Sequence, residues 1–191
     1  GTIRINFDGK DPAKELAYCA FFLVITFLPI SISIFEVVSG IFIVLAVFSF
    51  IRNKQYGVLK NPLFFLIAIY FLMNIFSLTQ SEYGWTSVRG VFKVLKNILM
   101  FGCAFYVIDT EEKLKKVFQW LLVTALVVGV DALLQGLTGF EVMRQRPMTP
   151  YHGDTKRLTG PFSHANNFSA YLSLVTILYL GVLREGRKIF S

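Results

Sequence analysis

Apolar residues come in long blocks along this chain, and most of the polar residues fall between the blocks. An apolar block of about 20 residues is the length an α-helix needs to cross a hydrocarbon core of about 30 Å. Six such blocks predict helices over about 12–29, 36–51, 62–79, 89–108, 117–137 and 166–183. Their edges carry helix-start chemistry: Asp11 before Pro12 and Asn61 before Pro62 each set a capping side chain ahead of a proline at the first helical position. The 31–36 stretch, S-I-S-I-F-E, is too short for a loop and predicts a tight turn that makes the first two helices a hairpin. Residues 80–88, with Gly84 and the interface-seeking Trp85, predict a polar connection. Residues 109–116, D-T-E-E-K-L-K-K, predict a solvated connector with acids first and lysines following at helical spacing. Residues 138–164 form the longest loop, with three prolines and little periodicity. The expected fold is all-α, a single polytopic transmembrane helical bundle of about six helices over residues 1–191 with no soluble domain.

Composition agrees and narrows the class. The chain is 54% hydrophobic, has 20 Phe and is only 16% charged, outside the range of an ordinary soluble domain. Its net charge of +7 is scattered over the ends of the apolar blocks, so no single basic face is on offer to nucleic acid. Anionic membrane lipid or a phosphate-bearing lipid is the expected partner. Cys19 and Cys103 lie inside apolar blocks with no His or Cys at ligand spacing, and read as small core residues, not as a disulfide or metal site. A phosphate-binding glycine loop, a nucleophile elbow and a zinc helix motif are all lacking. The first apolar block runs past signal-peptide length and should stay in place. Gly1 in place of Met points to processing or to an excised piece.

Basic residues also set an orientation. With the N-terminus inside, twelve of the 19 Lys and Arg fall on the inside and seven outside, and cytoplasmic segments favour the excess. The loop 138–164 then faces out. The seven exceptions resist the usual bias and are candidates for another role.

Three of them, Arg89, Lys93 and Lys96, share one face of the fourth helix and descend about 10 Å from the outer boundary. Arg89 and Lys93 read equally well as snorkelling side chains. Lys96 lies deeper, where a lipid-facing cation costs about 2–3 kcal/mol, which argues for a wet or anion-filled cavity lined by protein. Asn74 and Asp131 lie past the midplane toward the outside, and Asp131 reads either as a functional carboxylate or as the partner of a helix-four lysine. The other four, Arg144, Arg146, Lys156 and Arg157, sit in the outer loop. Arginine forks suit phosphate oxygens, and a helix N-terminus adds free N–H groups and a positive dipole end. Asn166 or Asn167 is the expected N-cap of the sixth helix, and Gly160-Pro161 would turn Arg157 back over it. His164 is a candidate general base or orienting donor, or simply an interfacial hydrogen-bonding residue. The sequon Asn167-Phe168-Ser169 lies too near the membrane to be used.

The segment Arg157-x-x-Gly160-x-Phe162-x-His164-x-Asn166, leading from a long outer loop into an apolar helix, resembles the O-antigen ligase and O-antigen polymerase superfamily of bacterial inner-membrane glycosyltransferases. The family pattern reads approximately Arg, two residues, Gly, then His or Asn, Pro and Asn; here Ala165 stands where Pro is usual. The resemblance implies transfer of a glycan from an undecaprenyl-diphosphate carrier to an acceptor hydroxyl on a lipid A core sugar or another repeat unit, with no metal or nucleotide. Arg157 would hold the diphosphate, with His164 a reserve base; Arg89, Lys93, Lys96, Arg144, Arg146, Asn166 and Asp131 are the substrate-binding candidates. It also implies a later half, with about as many helices again and a second outer loop carrying a histidine, without which this chain would be inactive. Ligase and polymerase are not separated. A transporter or channel for an anionic solute would instead show broken helices near the midplane, and a non-catalytic scaffold would need Arg157 only for stability.

Overall fold

The computed structural model describes residues 11–80, 82, 84–143, 145–152, 155–162 and 164–184. In order they form α1 (Pro12–Ile30), α2 (Ile32–Asn53), a 3₁₀ turn (Tyr56–Lys60), α3 (Pro62–Leu78), α4 (Gly84–Val107), α5 (Glu111–Thr138), β1 (Phe140–Glu141), β2 (Arg146–Pro147), β3 (Thr149–His152), β4 (Thr155–Arg157) and α6 (Ala165–Arg184). Among the described residues the architecture is helical, with strands only in two small antiparallel hairpins in the loop between α5 and α6. Among the described residues α1, α2, α4 and α5 are long and apolar enough to cross a membrane. The 17 residues of α3 span about 26 Å, at the short end for a bilayer. None of them is buried, and Phe65, Met73 and Phe76 are each about two-thirds exposed. Such a surface is untenable in water and suits acyl chains. This is a multi-pass membrane protein.

The chain groups into two compact units, one built from the residues up to Phe21 with Ser39–Asp109, the other from Phe22–Val38 with Thr110 onward. In the first, the start of α1 lies against the end of α2. Asp11 caps α1 by accepting from the Ala13 N–H at 3.2 Å. Its other oxygen accepts from the Ser49 hydroxyl and from Asn53 Nδ2, the latter at 2.7 Å. The Phe21 and Phe42 rings meet at 5.2 Å, so α1 and α2 do form the expected hairpin. Its corner is tighter than 31–36, because only Ser31 is non-helical. Ser31 donates its N–H to the Phe27 carbonyl at 3.0 Å and accepts from the Phe35 N–H at 2.9 Å. Alternating Ser and Ile without Pro or Gly leaves nothing to stop α2 from starting at Ile32 instead of 36. Helix α3 starts as expected, with Asn61 Oδ1 accepting from the Leu63 N–H at 3.0 Å, and packs on α4 through Phe64 and Phe105 at 5.7 Å.

Two other helix starts move earlier than expected. Helix α4 begins at Gly84, not 89, so Trp85 and Arg89 sit one turn apart with the guanidinium 5.5 Å from the ring centroid. Helix α5 begins at Glu111, not 117, because Thr110 accepts from the Lys113 N–H at 3.2 Å and Glu111 and Glu112 complement the helix dipole. The segment read as a connector is thus the first turns of the helix itself. At the far end Gly139 takes φ +74 and returns its N–H to the Gln135 carbonyl at 2.9 Å, the left-handed close that glycine makes without strain.

In the second unit α5 buries a stripe at Thr124, Val128, Asp131 and Gln135, the spacing of one helix face. Val128 packs with Phe162, Tyr171 and Val175 in a core shared with α6. Thr124 and Tyr171 meet by their hydroxyls at 3.3 Å, and the Tyr179 hydroxyl donates to the Phe118 carbonyl. The loop after α5 pairs Phe140 with Pro147 in β1–β2 and Thr149 with Arg157 in β3–β4, with a bulge in the second hairpin. Strands of two to four residues are too short to show a period in the sequence.

Candidate functional site

The C-terminal third of α5 holds the long loop by its polar side chains. Asp131 is 4% exposed, and its Oδ1 accepts from the Met143 N–H at 3.1 Å. One turn later the fully buried Gln135 uses both ends of its amide. Its Oε1 accepts from the Thr159 and Gly160 N–H groups, both at 3.0 Å, and its Nε2 donates to Thr159 Oγ1 at 3.1 Å. Burial in a low-dielectric place makes each of these bonds costly to lose, about 1–3 kcal/mol for each group left unsatisfied. Within the loop Glu141, 1% exposed, receives Arg146 through Nε at 3.1 Å and Nη2 at 2.8 Å, and the same Nη2 reaches the Phe162 carbonyl at 3.2 Å.

The turn that follows Arg157 is therefore fixed from beneath. Thr159, Gly160, Pro161 and Phe162 are all buried. Gly160 takes φ +51, and a Cβ there would lie 3.0 Å from the Phe168 ring, so the position needs glycine on two counts. Arg157 itself is exposed at the end of β4, two residues before this anchored turn. His164 is exposed and stands immediately ahead of α6.

Neither Asn166 nor Asn167 caps α6, contrary to expectation. The helix begins at Ala165, and the His164 carbonyl takes the N–H groups of Asn167 and Phe168 at 3.1 and 3.3 Å. That places Asn166 inside the first turn, where its own carbonyl accepts from the Ser169 hydroxyl at 3.0 Å. The helix starts one residue before the 166 that the apolar block predicts.

The remaining sequence candidates divide between the units. Arg146, Arg157, His164, Asn166 and Asp131 all belong to the second, and Arg144 lies outside the described residues. Arg89, Lys93 and Lys96 lie on α4 in the first, with Arg89 and Lys93 exposed and Lys96 half-buried. Arg89 leans on Trp85 in the manner of an interfacial pair. Among the described residues no group of His, Cys, Asp and Glu could hold a metal ion.

Sequence reasoning overlooked Gln135 and Glu141, which organise the loop. Asp131 and Gln135 at i and i+4 in an apolar helix were the available signal, since two polar groups on one buried face need partners from elsewhere. It also overlooked the polar knot of the first unit. There Tyr106 lies 2.9 Å from Ser49, and Lys14 sits 2.9 Å from Asp109 and 4.4 Å over the Tyr106 ring.

Comparison with known protein families, with curated proteins and with solved structures finds no match to this chain.

Proposed function

We propose that this chain is the N-terminal half of a bacterial inner-membrane glycosyltransferase that moves a glycan from an undecaprenyl-diphosphate carrier to an acceptor hydroxyl, as in O-antigen ligation or polymerisation. The observation that carries the reading is Arg157, an exposed cation at the end of a strand, followed directly by a turn pinned to α5 through Gln135. With the backbone held by the anchored turn two residues on, only the side-chain torsions of Arg157 have to be ordered when its guanidinium closes on a diphosphate. The acceptor oxygen forms its bond to the anomeric carbon while the bond from that carbon to the diphosphate breaks, and charge builds on the departing phosphate. Arg157 stabilises that charge, and the hydroxyl proton passes to a base, for which His164 is the candidate in this half. The spacing Arg157-x-x-Gly160-x-Phe162-x-His164-x-Asn166 supports the family reading. In this reading all six helices cross the membrane, the N-terminus is cytoplasmic and the loop faces the periplasm.

The test is to replace Arg157 with Ala and with Lys in the full-length enzyme that the reading implies, and to assay glycan transfer from a polyprenyl-diphosphate donor. We expect Ala to lose at least about a hundredfold, the scale on which one oxyanion-stabilising donor matters. Lys should recover a part, as a point charge without the fork. Transfer at the parental rate in both variants, with normal membrane expression, would sink the clamp.

A further inference from the structure

The first unit holds a cavity of about 260 Å³ whose lining is almost wholly apolar. Helix α2 contributes Ala46 and Phe50, the 3₁₀ turn Leu59, α3 Phe64, and α4 Leu99 and Gly102. Of the lining side chains only Cys103 and Tyr106 carry a heteroatom, and the Tyr106 hydroxyl is engaged with Ser49 at 2.9 Å. Whichever atoms face the space, they are therefore chiefly hydrocarbon and aromatic ring. Leu59 is 54% and Leu99 40% exposed, so the described residues do not seal the cavity. An empty apolar space forfeits the dispersion contacts of its walls. In a multi-pass membrane protein the material at hand to supply them is a lipid chain. The lining runs from Ile98 to Tyr106 on α4, about 12 Å of helix along which such a chain can lie.

Hydrocarbon alone does not choose among lipids, since every tail is as apolar as the walls. The choice comes from charge. Segment 51–62, which joins α2 to α3 and contains Leu59, carries Arg52, Lys54 and Lys60 and no acid. Lys54 ends α2 with φ 49, and its carbonyl accepts from the Tyr56 N–H at 2.9 Å. The Tyr56 ring then meets Phe50 in a T-shape at 5.6 Å, and Phe50 meets Tyr106 likewise at 5.3 Å. The basic segment thus lies against the cavity wall. Arg52 directs its charge to Asp11, and Lys14 pairs with Asp109 at 2.9 Å. Lys54 and Lys60 are exposed, and among the described residues neither ammonium has an ion-pair partner.

We infer that this cavity holds one acyl chain of an anionic phospholipid, whose headgroup is drawn to Lys54 and Lys60. Lysines on flexible stems act as point charges and suit a headgroup that stays wet. A zwitterionic headgroup brings its own cation and gains less from them. The inference rests on the membrane-spanning fold and not on the glycosyltransferase reading. On the orientation proposed above, this end lies in the cytoplasmic leaflet, across the membrane from Arg157, so the lipid is distinct from the carrier whose diphosphate Arg157 holds.

The test uses the full chain in nanodiscs of phosphatidylcholine, doped with phosphatidylglycerol that carries a photoreactive diazirine in one acyl chain. A phosphatidylcholine with the same photoreactive tail is the comparison, and cross-linked peptides are mapped by mass spectrometry. At the cavity residues of α2 and α4, phosphatidylglycerol should label about tenfold more than phosphatidylcholine, from two cations near one anionic headgroup. On the outer face of α3, at Met73 and Phe76, the two should label about equally. Lys54→Gln and Lys60→Gln should each cut the preference about threefold, and the double variant should bring it to parity. Gly102→Leu, where a Cβ lies 3.4 Å from the Phe64 ring, adds a side chain to the lining. It should remove cavity labelling by both lipids and leave that at Met73 and Phe76. Thermal melting checks the fold, and Cys103→Leu fills the same space from the next position if Gly102→Leu does not fold. Equal labelling of the cavity by the two lipids, no labelling there, a preference that survives the double variant, or cavity labelling unchanged by the filling variants would each overturn the site. Glycan transfer in the Arg157 variants is read separately, so either proposal can fail without the other.

Discussion

At the scale of single residues, two buried polar side chains of α5 are spent on the backbone of the long loop. Gln135 satisfies two consecutive N–H groups and one hydroxyl of the loop, and Asp131 satisfies a third N–H. Gly160 is the hinge of that arrangement. Gly160→Ala forces a Cβ into the left-handed region, costing about 1–2 kcal/mol, and presses it on Phe168. We expect a lower melting temperature in detergent, and a second change, Phe168→Leu, should recover the steric share but not the backbone share. Melting of Gly160→Ala at the parental temperature would contradict the geometry. The need for glycine at 160 was partly legible, since Gly-Pro announces a turn. The identity of its anchor was not, because an amide in an apolar run gives no indication of which segment, some 25 residues on, will receive it.

At the scale of elements, the apolar blocks were legible and their ends were not. Length and hydropathy locate a helix, but α2, α4 and α5 each start four to six residues early because Ser31, Gly84 and Thr110 begin helices where the sequence reads as connector. The α1–α2 hairpin is closed at its open end by contacts that no local pattern shows, as Asp11 and Ser49 lie 38 residues apart. Burial raises the Asp11 carboxyl, but hydrogen bonds from Ser49, Asn53 and the Ala13 N–H, with the charge of Arg52, outweigh it and hold the group below the ordinary carboxylate value. The folded chain thus keeps Asp11 ionised to lower pH than the unfolded chain does. Its contribution is complete above the ordinary value of about 3.9 and is lost as the pH falls below that, through the lowered folded value. Melting compared at neutral and strongly acidic pH should show this loss in the parent and less of it in Asp11→Asn. Equal acid sensitivity in the two would exclude Asp11 as the source.

At the scale of the whole molecule, charge bias and geometry make one testable map. With Cys19 and Cys103 replaced by Ser and Ala, Gln55→Cys should react with a membrane-impermeant maleimide only from the cytoplasmic side. Val142→Cys, exposed in the long loop, should react only from the opposite side. Labelling of both from one side would overturn the proposed topology. The tight corner at Ser31 bears on how the chain reaches that topology. Residues 30–38 carry one acid, Glu36, and no Lys or Arg, while the basic residues gather at the open end, at Lys14, Arg52 and Lys54. With a single non-helical residue between them, α1 and α2 have no polar linker on which to pause during synthesis. On the proposed orientation they enter the bilayer together as one insertion unit, whose tip passes through without carrying a cation across.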